Sequence, residues 1–183
     1  MPRRSCPLHF LAVIAALVGV ASGGAGRTLE LNILQDPDAF YDLGMANIVS
    51  GNYESAVANF DAVIRIHQLD DRPYHMRCWA RAVIGRELRR TLADCNEVLR
   101  LNPNNFHVID ARGFTYLKLG EFGRSIADYD AILKFDPKRA ASLYGRGVAK
   151  RNIGDSVGSD ADIGAAKTIE PEIAEQFARY GVK

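Results

Sequence analysis

The sequence is short of several things, and each shortage closes off a class of protein. Of its 183 residues one is tryptophan, three are methionine and three are cysteine. Three cysteines cannot build the multi-bridge framework of a small disulfide-rich domain. Charge of one sign is also lacking, since 23 Lys plus Arg face 22 Asp plus Glu for a formal net charge of +1. No whole-protein field draws in anionic polymers, so nucleic acid is not an expected partner. No apolar run reaches the ~20 residues needed to cross a bilayer. Catalytic signatures are missing too. His67, His75 and His107 have no His-Glu-x-x-His spacing for zinc, and no Gly-x-Ser-x-Gly elbow, phosphate loop or dinucleotide fingerprint occurs. The acids between Asp155 and Asp162 lack the closing glutamate of a calcium loop, and helix capping accounts for them. The expectation is a protein without catalysis, metal or cofactor.

What is present, 48% hydrophobic and 25% charged residues, suits one soluble domain of ordinary size. The first 25 residues are set apart. Arg3 and Arg4 precede an uncharged stretch from Phe10 to Val20, and small residues follow from Ala21 to Gly26. A basic start, a short apolar core and a small-residue cleavage region describe a secretory signal peptide over residues 1–25, cut after Gly23 or Ala25. The expected destination is the periplasm or the medium, with an uncleaved N-terminal anchor as the alternative. Cleavage removes Arg3, Arg4 and Cys6, leaving a net charge of −1, two cysteines and no stable membrane span. Residues 26–36 form a short N-terminal segment.

Beyond residue 36 the chain repeats. A small-residue column runs Gly44, Gly113, Gly147 and Gly181, with Trp79 read into the second unit. A turn column runs Gly51, Arg86, Gly120 and Gly154, and a closing column runs Gln68, Pro103, Pro137 and Pro171. The spacing is 34 residues, with a single 35 between the first and second units. Within each unit apolar residues fall three and four apart on both sides of the turn, as in Phe122, Ile126, Tyr129, Ile132 and Leu133. Asp36-Pro37 fits a cap with proline in the first turn, while Asn102-Pro103 and Asp136-Pro137 end helices. The pattern predicts four helix–turn–helix units over 37–173, at 37–70, 72–105, 106–139 and 140–173. A 34-residue hairpin cannot bury its apolar face alone, so the units must stack. Residues 174–183 are read as a capping helix and tail, with Phe177, Tyr180 and Gly181 in the register of a truncated fifth first helix.

The segments Leu43 to Ala56, Arg112 to Phe122, Ile126 to Pro137 and Tyr144 to Gly147 resemble the tetratricopeptide repeat family over residues 37 to 181. The second unit departs from the family pattern at Trp79 and Cys95, and the fourth at Ser156 and Ile163. The signal peptide and the excess of arginine over lysine resemble a bacterial envelope member. The resemblance implies an all-α, right-handed α-solenoid of four helix–turn–helix repeats with a short C-terminal capping helix. It also implies a scaffold whose first helices line a concave groove for a partner protein or peptide. Carried over by position, the groove candidates are Tyr41, Met45, Ile48 and Val49; Met76, Ala80 and Val83; Asp110, Phe114, Leu117 and Lys118; and Tyr144, Val148, Arg151 and Asn152.

Several readings stay open at this level. Residues 27–36 alternate apolar and polar and can lie along the groove. The protein can be a self-associating structural accessory, or a small-ligand or lipid carrier if an enclosed pocket exists. Cys78 and Cys95, one in each helix of the second hairpin, can form a disulfide or fill the core as thiols. The first repeat carries a net −4 and the second +4, which reads first as complementary faces between neighbours and second as a patch for an acidic partner.

Overall fold

The computed structural model describes residues 36–68, 70 and 72–182. The expected signal peptide and residues 27–35 of the N-terminal strip lie outside the described residues. Among the described residues there are nine α-helices and no strand. They are α1 (Pro37–Val49), α2 (Tyr53–Ile66), α3 (Arg72–Ile84), α4 (Leu88–Leu101), α5 (Phe106–Leu119), α6 (Phe122–Phe135), α7 (Ala140–Asn152), α8 (Ser156–Ile169) and α9 (Ile173–Arg179). None is long and apolar enough to cross a membrane. Successive helices from α1 to α8 pack on one another, and α5 also packs on α3 and α7, which makes an all-α solenoid of stacked hairpins.

Local sequence sets the helix ends. The Asn105 side chain accepts from the Val108 amide at 3.3 Å and Asp155 accepts from Gly158 at 2.9 Å, each satisfying a donor that the helix start leaves open. The turns inside the hairpins use Gly51, Gly85, Gly120 and Gly154 at φ +75°, +76°, +75° and +87°, a region open to glycine and strained for other residues.

That choice corrects the alignment of the second repeat. The turn glycine there is Gly85, not Arg86, because positive φ favours glycine over arginine. The repeat's additional residue lies in the α3–α4 turn, where Glu87 is also left-handed at φ 52°. The register of α3 moves by one, and the small column becomes Gly44, Cys78, Gly113 and Gly147. Each glycine faces a large residue of its own second helix. A Cβ on Gly44 would sit 2.6 Å from Phe60, one on Gly113 would sit 3.3 Å from Tyr129, and one on Gly147 would sit 2.7 Å from Ile163. In repeat two this contact is a covalent bond. Cys78 and Cys95 are joined as a disulfide with Cα atoms 5.9 Å apart. Trp79 is therefore not the small-column residue; Cys78 is.

The corrected register also exposes a charged ladder. Arg77, Arg112 and Arg146 occupy the same place on α3, α5 and α7. Arg112 holds Asp128 of its own hairpin at 2.7 Å and Asn96 of the preceding one at 3.0 Å. Arg146 holds Asp162 at 2.6 Å and Asp130 at 2.7 Å. Arg77 meets Asp61 at 2.6 Å and Asp94 at 3.5 Å, with Arg81 pairing to Asp94 beside it. The opposite charges of repeats one and two meet here, as complementary neighbouring faces require.

The ladder can be tested at two of its rungs. Among the described residues Asp128 pairs with Arg112 alone, whereas Asp162 also has Lys150 at 2.8 Å. Arg112→Ala strands a nearly buried carboxylate and should cost about 1.5–3 kcal/mol in urea unfolding. Arg146→Ala should cost less, and equal losses would show that Lys150 does not share the load. The other rung responds to acid. Burial opposes ionisation of Asp162, but hydrogen bonds and charge from Arg146 and Lys150 outweigh it and hold the carboxyl below its usual range. A depressed folded-state pKa means stability that is complete above the unfolded value near ~4 and is lost as pH falls through the folded value. Asp162→Asn should flatten the acid limb of a plot of Tm against pH, and an unchanged limb would count against it.

Candidate functional site

With α3 in its true register, the first helices present three matching rows. One is Tyr41, His75, Asp110 and Tyr144. A second is Met45, Trp79, Phe114 and Val148, and a third is Val49, Val83, Lys118 and Asn152. In repeat one this face is open: Val49 is 86% exposed, while Tyr41, Met45 and Ile48 are half-buried. Tyr41 lies against Phe60, ring centres 5.8 Å apart, with the Arg72 guanidinium over its face at 5.0 Å.

In repeats three and four the same face is covered by the chain's own C-terminal segment. The Phe177 ring lies 4.8 Å from Tyr144 and 5.7 Å from Phe114. Tyr180 stands edge-on to Trp79 at 5.6 Å, to Phe114 at 6.1 Å and to Tyr53 at 6.5 Å, the arrangement that ring quadrupoles favour. Val182 is buried in the same cluster as Leu117 and Val148. Its amide donates to the Phe177 carbonyl at 3.0 Å, and Gly181 turns the chain at φ +79°. The Lys118 ammonium donates to the Val83 carbonyl at 2.8 Å and the Tyr180 carbonyl at 3.1 Å. Burial pushes its pKa down. Burial and the neighbouring Tyr53 hydroxyl push the Tyr180 phenol up.

This arrangement departs from a plain fifth first helix. Ile173 is fully buried with Ile163 and Ala166 at the end of the stack, as a cap requires. The aromatic side chains instead run back across α5 and α3 to the start of α2. Among the described residues no second helix pairs with the seven-residue α9, and the apolar face of the stack buries its rings.

The tetratricopeptide repeat family profile matches residues 108–139, the span of α5 and α6 and the turn after them. The fold over most of the chain is that of solved tetratricopeptide proteins. MamA from Desulfovibrio magneticus RS-1, residues 41 to the end, is 19% identical with a TM-score of 0.63, covering 79% of this chain and 92% of that one. The thermophilic TPR protein TTC0263 of Thermus thermophilus is 15% identical with a TM-score of 0.69, covering 79% and 81%. YrrB, described as a TPR protein with an unusual peptide-binding site, is 18% identical with a TM-score of 0.61, covering 79% and 75%. One unit of the chain thus matches the tetratricopeptide repeat, and the array has the fold of tetratricopeptide proteins. No curated protein matches the chain.

The repeat register set by the turn glycines decides where the groove candidates fall. Phe114, Leu117, Tyr144, Val148 and Val83 lie on the first-helix face but are buried, the cluster around them including Phe177 and Val182. Met76 and Ala80 are corrected. The additional residue in the α3–α4 turn puts His75 and Trp79 in the facing rows and leaves Ala80 fully buried in the helix packing. Asp110 is taken up by structure, with Arg139 at 2.9 Å and the Ser142 hydroxyl at 3.2 Å. Arg151 is exposed and paired with Asp160 at 3.1 Å. Asn152 is exposed and donates to the carbonyl of Val148 at 2.9 Å. Sequence reasoning missed His75 and Trp79 as facing residues, and read the tail as an end cap without its contacts across the first-helix face. A signal for Trp79 existed, because reading Gly85 as the turn places it level with Phe114.

Proposed function

We propose that this protein is a non-catalytic scaffold that docks a partner peptide or protein along the face of α1, α3, α5 and α7. The observation that carries the reading is the open, largely apolar stretch of that face in repeat one, where Tyr41, Met45, Ile48 and Val49 retain accessible surface. YrrB, whose description includes a peptide-binding site, shares the fold. The hollows that line the array, of about 430, 410 and 230 Å³, open to the surface between helices, which favours docking over an enclosed carrier site.

A photoreactive aromatic amino acid in place of Val49 should give a discrete adduct in the native extract. The same group at Ala131, exposed on α6, should give none. Equal labelling at the two positions would remove the docking reading, and an adduct with twice the chain's own mass would replace the outside partner by a second copy.

The proposed setting is the bacterial envelope, reached by cleavage of residues 1–25. Its support is the basic-apolar-small pattern of that stretch, together with an oxidised Cys78–Cys95 pair, which suits an oxidising compartment. The intact mass of the protein released from the envelope should correspond to a start after Gly23 or Ala25. Recovery of the uncut chain from the cytosol would overturn it.

A further inference from the structure

The chain fills part of its docking face with its own C-terminal segment, so the subsites can be read from the occupant. One aromatic, Phe177, enters between Phe114 and Tyr144, and a second, Tyr180, meets Trp79 edge-on. An aliphatic residue, Val182, follows two positions later. Between the last two, the Tyr180 carbonyl leaves the helix pattern and accepts from Lys118. Gly85 leaves room for this lysine, since a Cβ there would lie 2.7 Å from Nζ. A seven-residue helix is too short to be stable by itself in water, where about 12–15 residues are marginal. Its position is therefore set by these side-chain contacts.

We propose that the C-terminal segment is an internal ligand that competes with a partner peptide of the same chemistry. That peptide carries an aromatic, a second aromatic three residues on, and an aliphatic residue two beyond that. The inference rests on the docking reading above and names its partner class. Lys118 explains why the competitor is a peptide and not a lipid chain. When the tail leaves, the ammonium keeps the Val83 carbonyl and loses the Tyr180 carbonyl, so the incoming group must supply a polar acceptor at that point. The hollow of about 230 Å³ beside Val182, lined by Leu117, Lys118, Phe122 and Val148, has room for a longer aliphatic side chain. A partner bearing leucine at that position should outcompete the tail.

The test uses the full chain and a fluorescein-labelled peptide of residues 171–183, with Trp79, the single tryptophan, as a second reporter. Phe177→Ala with Tyr180→Ala should bind this peptide at least about tenfold more tightly than the unaltered chain, as expected when a tail closed nine-tenths of the time is released. The peptide with Val182→Leu should bind more tightly still, and a peptide with alanine for both aromatics should not bind. Equal affinity of the two proteins, with the helical circular dichroism of the variant intact, overturns the proposal. Should the variant unfold, hydrogen exchange on the unaltered chain decides. Excess peptide should speed exchange at Tyr180 to Val182 and leave α6 unchanged, and an unchanged tail refutes the proposal. The two readings fail separately: an adduct from Val49 without peptide binding removes the internal ligand alone, while no adduct from Val49 removes the docking face itself.

Discussion

Replacing Tyr129 with alanine should remove about 3–5 kcal/mol of stability, the largest loss expected from one side chain here. Tyr129 is the largest of the fully buried side chains. Its ring sits where two first helices approach, because both offer glycine. A Cβ on Gly113 of α5 would stand 3.3 Å from the ring, and one on Gly145 of α7 would stand 2.7 Å from its Cε2. The cavity left by alanine is walled by backbone on both sides and cannot close cheaply. In a stacked array the damage falls on the interface between the third and fourth hairpins. The urea transition of Tyr129→Ala should therefore move to lower concentration and split, the C-terminal hairpin melting first. Tyr129→Phe keeps the ring and should lose far less. A single unshifted transition for the alanine variant would show that the glycine clamp carries little of the stability. Gly145→Ala should approach the same outcome from the other side, by overpacking at about 1–3 kcal/mol.

Opening the Cys78–Cys95 bridge should cost about 3 kcal/mol, the chain-entropy value for a loop near this length, since the two cysteines are 17 residues apart. The effect should be felt beyond repeat two. Phe60, Tyr129 and Ile163 each oppose a glycine in the other hairpins, but Cys95 is small, and without the bond the pair fills that space less well. Trp79 follows Cys78 directly and touches both Phe114 and Tyr180, so loosening α3 loosens the floor under the tail. Cys78→Ala with Cys95→Ala should lower Tm and shift Trp79 emission to the red at lower urea than in the oxidised chain. Coincident curves for the oxidised and doubly substituted proteins would show that the hairpin holds without its staple.

Much of the fold is legible in residue order because the units must bury one apolar face each. Gly51, Gly120 and Gly154 mark turns that demand positive φ, Pro103 and Pro137 mark helix ends, and stripes such as Phe122 to Leu133 mark the buried sides. The slip in repeat two has an equally local cause. Gly85 and Arg86 are adjacent, and a column aligned on Trp79 hides the fact that the glycine turns the chain. With that corrected, Arg77, Arg112 and Arg146 fall in one column and their carboxylates in others, so the ladder too was written in the spacing. The groove candidates were legible only in part. Helical position tells which residues face outward from the stack, but not whether another segment comes to lie on them.

Residue order by itself settled the hairpin unit, its length, the stacking and the buried stripes, because these depend on contacts between near neighbours repeated at a constant interval. Only the tertiary structure decided that Cys78 bonds Cys95, that Met76 and Ala80 give way to His75 and Trp79, and that Phe177 and Tyr180 lie across α5 and α3. Those outcomes turn on one added residue in a turn and on a contact between Lys118 and Tyr180, 62 positions apart. A short periodic pattern carries no information about where such a distant segment finds its burial.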